Sequence, residues 1–136
     1  MTNENKKNGN KFEQDFCKAL SHYGFWAHNF VQSSAGQPAD IIAVKNQKAF
    51  LIDCKVCSGK SFNMSRIEDN QLNSMRLWSS KGNGDGYFAF LIEEEVYILP
   101  LSMLLFLKLG RVTLPTESIK ESGLTVPEWV KKCKLS

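Results

Sequence analysis

The sequence predicts a mixed α/β fold, a β-sheet flanked by helices in the order αβββαββ, with further short helices toward the C-terminal end. Three observations carry this expectation. Two apolar runs, 40–45 and 48–56, are rich in β-branched and aromatic residues and are separated by the turn-prone pair Asn46-Gln47. A helical stripe of Phe12, Phe16, Ala19, Leu20 and Tyr23 precedes them. A second stripe, Ile67, Gln71, Met75 and Trp78, divides them from another pair of strand-like runs. At 136 residues, 43% hydrophobic and 23% charged, the chain suits a single domain able to bury a core, with 1–9 and 133–136 expected to be flexible.

Asn10 is expected to cap the first helix, which runs to about Tyr23 and closes at Gly24 in the left-handed conformation. Residues 25–31 read as the first strand, and the runs around Asn46-Gln47 as a hairpin. Ser65-x-x-Glu68 has the form of a capping box and opens a second helix to about Ser80, with Gly82 to stop it. Residues 86–92, the acidic turn Glu93-Glu94-Glu95 and residues 96–99 form a closing hairpin. Ser102 is expected to cap a helix over 103–109 that is apolar nearly all round, which implies burial in the core or against another subunit. Thr125-x-Pro127-Glu128 opens a last helix carrying Trp129 and Val130 and trailing into Lys131, Lys132 and Lys134.

The hairpin concentrates chemistry. If Lys45 faces Lys48 across a symmetric turn, Asp40 faces Asp53, and directly opposed residues have Cβ atoms roughly 4.5–5.5 Å apart. Lys55 shares that face, because residues two apart on a strand point the same way. Two opposed carboxylates are destabilising unless something sits between them, and a divalent cation is the natural candidate. Carboxylate oxygens with few other ligands suit Mg²⁺ or Mn²⁺. A neighbouring ammonium that orients water or offsets charge at phosphorus fits phosphodiester hydrolysis. The structural alternative is a surface hairpin with ordinary ion pairs, which the apolar Ile41, Ile42, Phe50, Leu51 and Ile52 disfavour.

Pro38-x-Asp40 followed by Asp53-x-Lys55 resembles the bipartite motif of the PD-(D/E)XK nuclease superfamily. The stretch from Phe62 through Ile67 to Gln71 is similar to a pattern of RecU-type Holliday-junction resolvases, and Ser33-Ser34-Ala35-Gly36 resembles the serine and glycine loop of archaeal junction resolvases. The closing strands fit the same families, so the resemblance covers most of 9–104. It departs in two places: only 32–38 connects the strands where RecU-type enzymes carry a stalk, and Asp53 stands where related resolvases often have glutamate.

The resemblance implies a restriction-endonuclease-like sheet and a Mg²⁺-dependent, structure-selective DNA endonuclease, a homodimer that resolves four-way junctions in recombination and repair. Asp40, Asp53 and the Cys54 backbone carbonyl would hold the metal, Glu13 would bind it directly or through water, Lys55 would position the attacking hydroxide and Gln71 would support the site. Position alone leaves Glu13 equally an acid favoured by the helix macrodipole, and Gln71 an amide needing a partner within an apolar stripe. Ser33, Ser34, Lys60 and Arg66 are candidate DNA contacts, with ordinary loop residues and solvated charges as the alternatives. Rival functions are a nuclease of the same superfamily acting on flaps, nicks or a defined duplex, and a non-catalytic nucleic-acid-binding or assembly module.

Other motifs carry less. Ser58-Gly59-Lys60-Ser61 echoes a phosphate-binding loop but lacks its first glycine. Cys54-x-x-Cys57 lacks a second ligand pair, and in a strand its members face opposite sides. His22 and His28 have no Ser or Cys partner for a triad. The four cysteines read as reduced thiols. The net charge of +3 is compatible with a polyanionic partner without requiring one. No long apolar segment or signal-like start is present, so no membrane association is expected, and the expected compartment is the cytoplasm of a cell, including one infected by a phage encoding the protein.

Overall fold

The computed structural model describes residues 3–31 and 36–135. In chain order its elements are α1 (Asn3–His22), β1 (Trp26–Asn29), β2 (Ile41–Lys45), β3 (Lys48–Cys57), β4 (Ser61–Asn63), α2 (Asp69–Trp78), β5 (Tyr87–Ile92), β6 (Glu95–Pro100), α3 (Leu101–Lys108), β7 (Thr113–Pro115), α4 (Thr116–Ser122) and α5 (Val126–Leu135). A five-stranded mixed sheet runs β1-β2-β3-β5-β6, with β3 and β5 parallel and the other neighbours antiparallel. This is the helix-flanked α/β architecture expected.

Both tight hairpins turn through non-glycine residues in the left-handed region: Asn46 and Gln47 have φ of 53° and 69°, and Glu93 and Glu94 have 51° and 69°. Two successive positive φ values match the right-handed twist of the flanking strands, and they pin the register at Lys45 opposite Lys48. The central sheet separates two apolar layers. On one side α1 and α5 bury Phe12, Phe16, Leu20, Trp129 and Val130 over Ile41, Ala43, Ile52 and Cys54. On the other, α2, α3 and the small β4–β7 sheet bury Leu72, Met75, Leu104, Phe62 and Leu114 over Leu51, Phe88 and Phe90.

Several boundaries differ from expectation, each for a physical reason. Helix α1 starts at Asn3, ahead of the Asn10 cap: Gly9 and Asn10 cost at most about 1 kcal/mol each in a helix, and with no proline to break it propagation continues through them. Residues 1, 2 and 136 lie outside the description. The Ser65/Glu68 capping box is not formed. Asn63 caps a 3-10 turn over Met64–Arg66 by accepting from the Ser65 amide at 2.9 Å, and the box shifts to Glu68 and Gln71. Helix α2 ends at Trp78 and passes into a wide turn, Ser79–Asn83, containing Gly82 at φ 84°. Ser102 does not cap α3; Pro100 occupies that position, and the Ser102 hydroxyl donates to Asp85 Oδ2 at 2.6 Å. The closing Thr125/Glu128 box does form, with Thr125 N and Oγ1 both 2.9 Å from Glu128 Oε1.

Gly86, just before β5, is where α2 presses hardest on the sheet. A Cβ there would lie 2.6 Å from both Cγ and Sδ of Met75, which is wholly buried. Gly86→Ala is therefore expected to destabilise the fold by about 1–3 kcal/mol through overpacking, read as a lower urea midpoint with an unchanged slope.

Candidate active site

Asp40, Asp53, Lys55, Gln71 and Glu13 converge from four elements. Asp53 and Lys55 sit two apart on β3, Asp40 immediately precedes β2, Gln71 is in the first turn of α2 and Glu13 is on α1. The β2–β3 register, Ile41 opposite Ile52, places Asp40 beside Asp53 as the sequence suggested. The detail differs, because the Asp40 amide donates to Ile52 O at 3.2 Å and its carboxylate turns onto the backbone of β3, accepting from the Cys54 amide at 2.7 Å. Nothing in the side-chain pattern marked the Cys54 N–H as a site group; only the folded hairpin reveals it.

Asp53 is wholly buried. Its Oδ1 accepts from Gln71 Nε2 at 3.1 Å. Its Oδ2 lies 3.0 Å from Lys55 Nζ, yet no donor is aligned for a hydrogen bond to it. Lys55 Nζ donates instead to Gln71 Oε1 at 3.3 Å. The same Gln71 oxygen accepts from the Glu68 amide at 3.0 Å, so one side chain caps α2 and braces both charges of β3.

Burial is the largest influence on the acids. It raises the Asp53 carboxyl strongly, the charge of Asp40 adds to this, and Lys55 opposes it. Glu13 is pushed up to about 7 by burial first and Asp40 next, again against Lys55. The Cys54 thiol is held protonated by burial and by the surrounding carboxylates, and Cys57 is raised to about 11 by burial, so this pair has no reactive thiolate.

Two adjacent buried carboxyls, one with an oxygen facing no aligned donor, are suited to a divalent cation between them. Among the described residues no set of three His, Cys, Asp or Glu side chains could hold an ion alone. The fit is therefore to a hard divalent cation that takes two carboxylates and completes its shell with other oxygen ligands.

A stability prediction follows. A carboxyl raised on folding contributes stability that is complete below its unfolded value and is lost as pH climbs through its folded value. For Glu13 that window runs from 4.5 to about 7, and the Asp53 window extends above its unfolded 3.8. In chelator, the unfolding midpoint is expected to fall as pH rises across this range. Mn²⁺ at a hundred times its Kd should restore about 2.7 kcal/mol at the alkaline end and much less at the acid end. Thermal melts at both ends, with and without the ion, check this.

Of the remaining candidates, Ser33 and Ser34 lie outside the described residues. Lys60 is exposed, its carbonyl accepting from the Thr116 amide at 2.9 Å. Arg66 is exposed too, but its guanidinium donates to Val56 O at 2.9 Å and lies over the Phe62 ring at 5.0 Å. His22 makes a ring contact with Tyr23, and His28 with Trp26 and Phe30. Among the described residues no helix is long and apolar enough to cross a membrane.

Comparisons place this geometry among known proteins. A family model described as "Archaeal holliday junction resolvase (hjc)" matches residues 4–134. No curated protein matches. Among solved structures, Hjc of Archaeoglobus fulgidus, described as a Holliday junction resolvase from an archaeal hyperthermophile, superposes with a TM-score of 0.70 at 19% identity, covering 91% of this chain and 96% of that one. At that identity the superposition shows a shared fold.

Proposed function

Because the chain belongs to the archaeal Holliday junction resolvase family, and is thus a structure-selective endonuclease acting on branched DNA, we propose that Asp40, Asp53, Lys55, Glu13 and Gln71 form its hydrolytic site. The observation that carries this is the buried Asp53 oxygen with no aligned donor, next to a second carboxyl and an ammonium. Nucleases of this family are in general dependent on divalent metal; Mg²⁺ is the proposed ion, with Mn²⁺ as substitute. Asp40, Asp53 and the Cys54 carbonyl would hold it, and Glu13 would hold one of its waters. When bound, the ion supplies Lewis-acid polarisation of the phosphate and acidifies water.

The chain's own groups do the rest. Lys55, only 11% exposed at its side chain, holds its ammonium against Asp53 and Gln71, where it can orient an attacking water and offset charge developing on phosphate oxygens. Gln71 fixes the Asp53 carboxylate and Lys55 in one frame. Resolution needs paired cuts in two strands, which a homodimer supplies by two-fold symmetry. The exposed Phe106, Leu109 and Val112, at and beyond the end of α3, are the apolar surface proposed for that contact.

The test is incubation with four-way junctions, flaps, nicked and plain duplexes in Mg²⁺ or Mn²⁺, with sedimentation to establish the oligomer. Paired cuts in junctions alone support the assignment, and equal cutting of plain duplex rejects it. Lys60→Ala with Arg66→Ala should weaken binding to junction and duplex alike and lower the slope of log K against log salt by about 0.9 per contact removed. An unchanged slope shows that neither charge meets a phosphate.

A further inference from the structure

On β1 the residues Trp26, His28 and Phe30 alternate to one face and form a continuous aromatic row. The Trp26 and His28 rings are nearly parallel, 13° apart with centroids at 6.1 Å, and His28 meets Phe30 edge-on at 5.4 Å. Trp26 is 64% exposed and His28 is exposed, an unusual arrangement for aromatic rings on an edge strand. Phe30 packs against the core on the α2 side, but Trp26 and His28 are left open: their cross-strand neighbours Val44 and Ile42 are only half-buried, whereas Ile41 and Ala43 on the opposite face are fully buried.

Position connects the row to the site. Trp26 pairs with Val44 and His28 with Ile42, and these pair with Ala49 and Leu51 of β3. The row thus shares a sheet face with Asp53 and Lys55, which continue the alternation of β3 from Leu51. At its inner end the Phe30 amide donates to Asp40 O at 2.8 Å. From there to Trp26 the strand rise gives about 13 Å.

We propose that Trp26 and His28 stack unpaired bases at the DNA branch point, holding the strand whose phosphate enters the site at Asp40 and Asp53. The proposal rests on the nuclease assignment above. Paired duplex offers no free base face, whereas bases at a branch can unstack, and a ring platform accepts any of the four because each has a π-face. Trp26 is therefore a discriminator of branched from plain DNA, requiring no base-specific hydrogen bond.

The experiment uses the full chain and Trp26→Ala, a surface change, with Trp26→Phe as the conservative control. Affinity is measured for a four-way junction and for a plain duplex, with 2-aminopurine at the branch or within an arm as a second readout. Junction affinity is expected to fall on the order of ten-fold in Trp26→Ala and to be largely kept in Trp26→Phe, with duplex affinity unchanged. Quenching of 2-aminopurine by the wild type should occur at the branch and be lost in the alanine variant. Equal junction affinity, a parallel loss on duplex, or dissociation of an oligomer by Trp26→Ala in sedimentation would each overturn the platform. A wild-type chain that neither prefers nor cuts junctions would overturn the nuclease assignment beneath it.

Discussion

Asp53→Asn is expected to lower junction cleavage by about 10³-fold or more in Mg²⁺ while leaving junction affinity equal to or tighter than wild type. The substitution keeps the volume of a wholly buried side chain and its carbonyl can still accept from Gln71 Nε2, now at 3.1 Å from Oδ1. In the proposed site it removes the charge that would bind the cation and one negative charge from the region proposed to meet phosphates. The buried repulsion with Asp40 also disappears, so the loss of stability on raising pH without metal should shrink. Single-turnover cleavage, binding isotherms in Ca²⁺ and melts across pH give three separate readouts. Turnover near wild type would remove Asp53 from the proposed ligand set.

Lys55→Ala is expected to slow the chemical step by about 10²–10³-fold with Mn²⁺ binding retained. The ammonium is close to Asp53 Oδ2 and donates to Gln71 Oε1, so it contacts both acid and brace. Its removal leaves Asp53 without the one influence that lowers its pKa, and metal-free stability should become more sensitive to rising pH. Lys55→Met retains most of the aliphatic stem and separates packing from charge. Calorimetric titration with Mn²⁺ decides the role: binding kept and cutting lost identifies a group acting on water or phosphate, whereas loss of both assigns Lys55 to the architecture of the site.

The hairpin at the centre of this chemistry was legible because its cues are local. Asn46-Gln47 tolerates the left-handed pair that a two-residue turn demands, and from that turn the register of every facing residue follows. Gln71 was legible for a different reason, as an amide within an apolar helical stripe that had to find a partner. Less was visible where distant segments decide the structure. Ser61–Asn63 becomes a strand only because Thr113–Pro115 pairs with it. Ser65 and Glu68 satisfy a capping pattern, but Glu68 and Gln71 satisfy another, and the 3-10 turn capped by Asn63 selects between them. The fold-back of the Asp40 carboxylate onto the Cys54 amide depends on backbone geometry at the strand entrance, which no side-chain pattern encodes.

The double engagement of Gln71 has a genetic consequence. Its oxygen closes the first turn of α2 while its nitrogen holds Asp53, so one codon governs both a helix start and the buried carboxylate of the proposed site. Glutamate there could still accept from the Glu68 amide but would set a further negative charge against Asp53, and alanine would forfeit all three contacts, with Glu68, Lys55 and Asp53. The position is thus pleiotropic: substitutions that spare stability harm the acid site, and single changes elsewhere can compensate for one defect but not for both. Second-site suppressors of a Gln71 variant should accordingly fall into two separate groups, those that rebuild the α2 start and those that relieve Asp53, with neither sufficient alone.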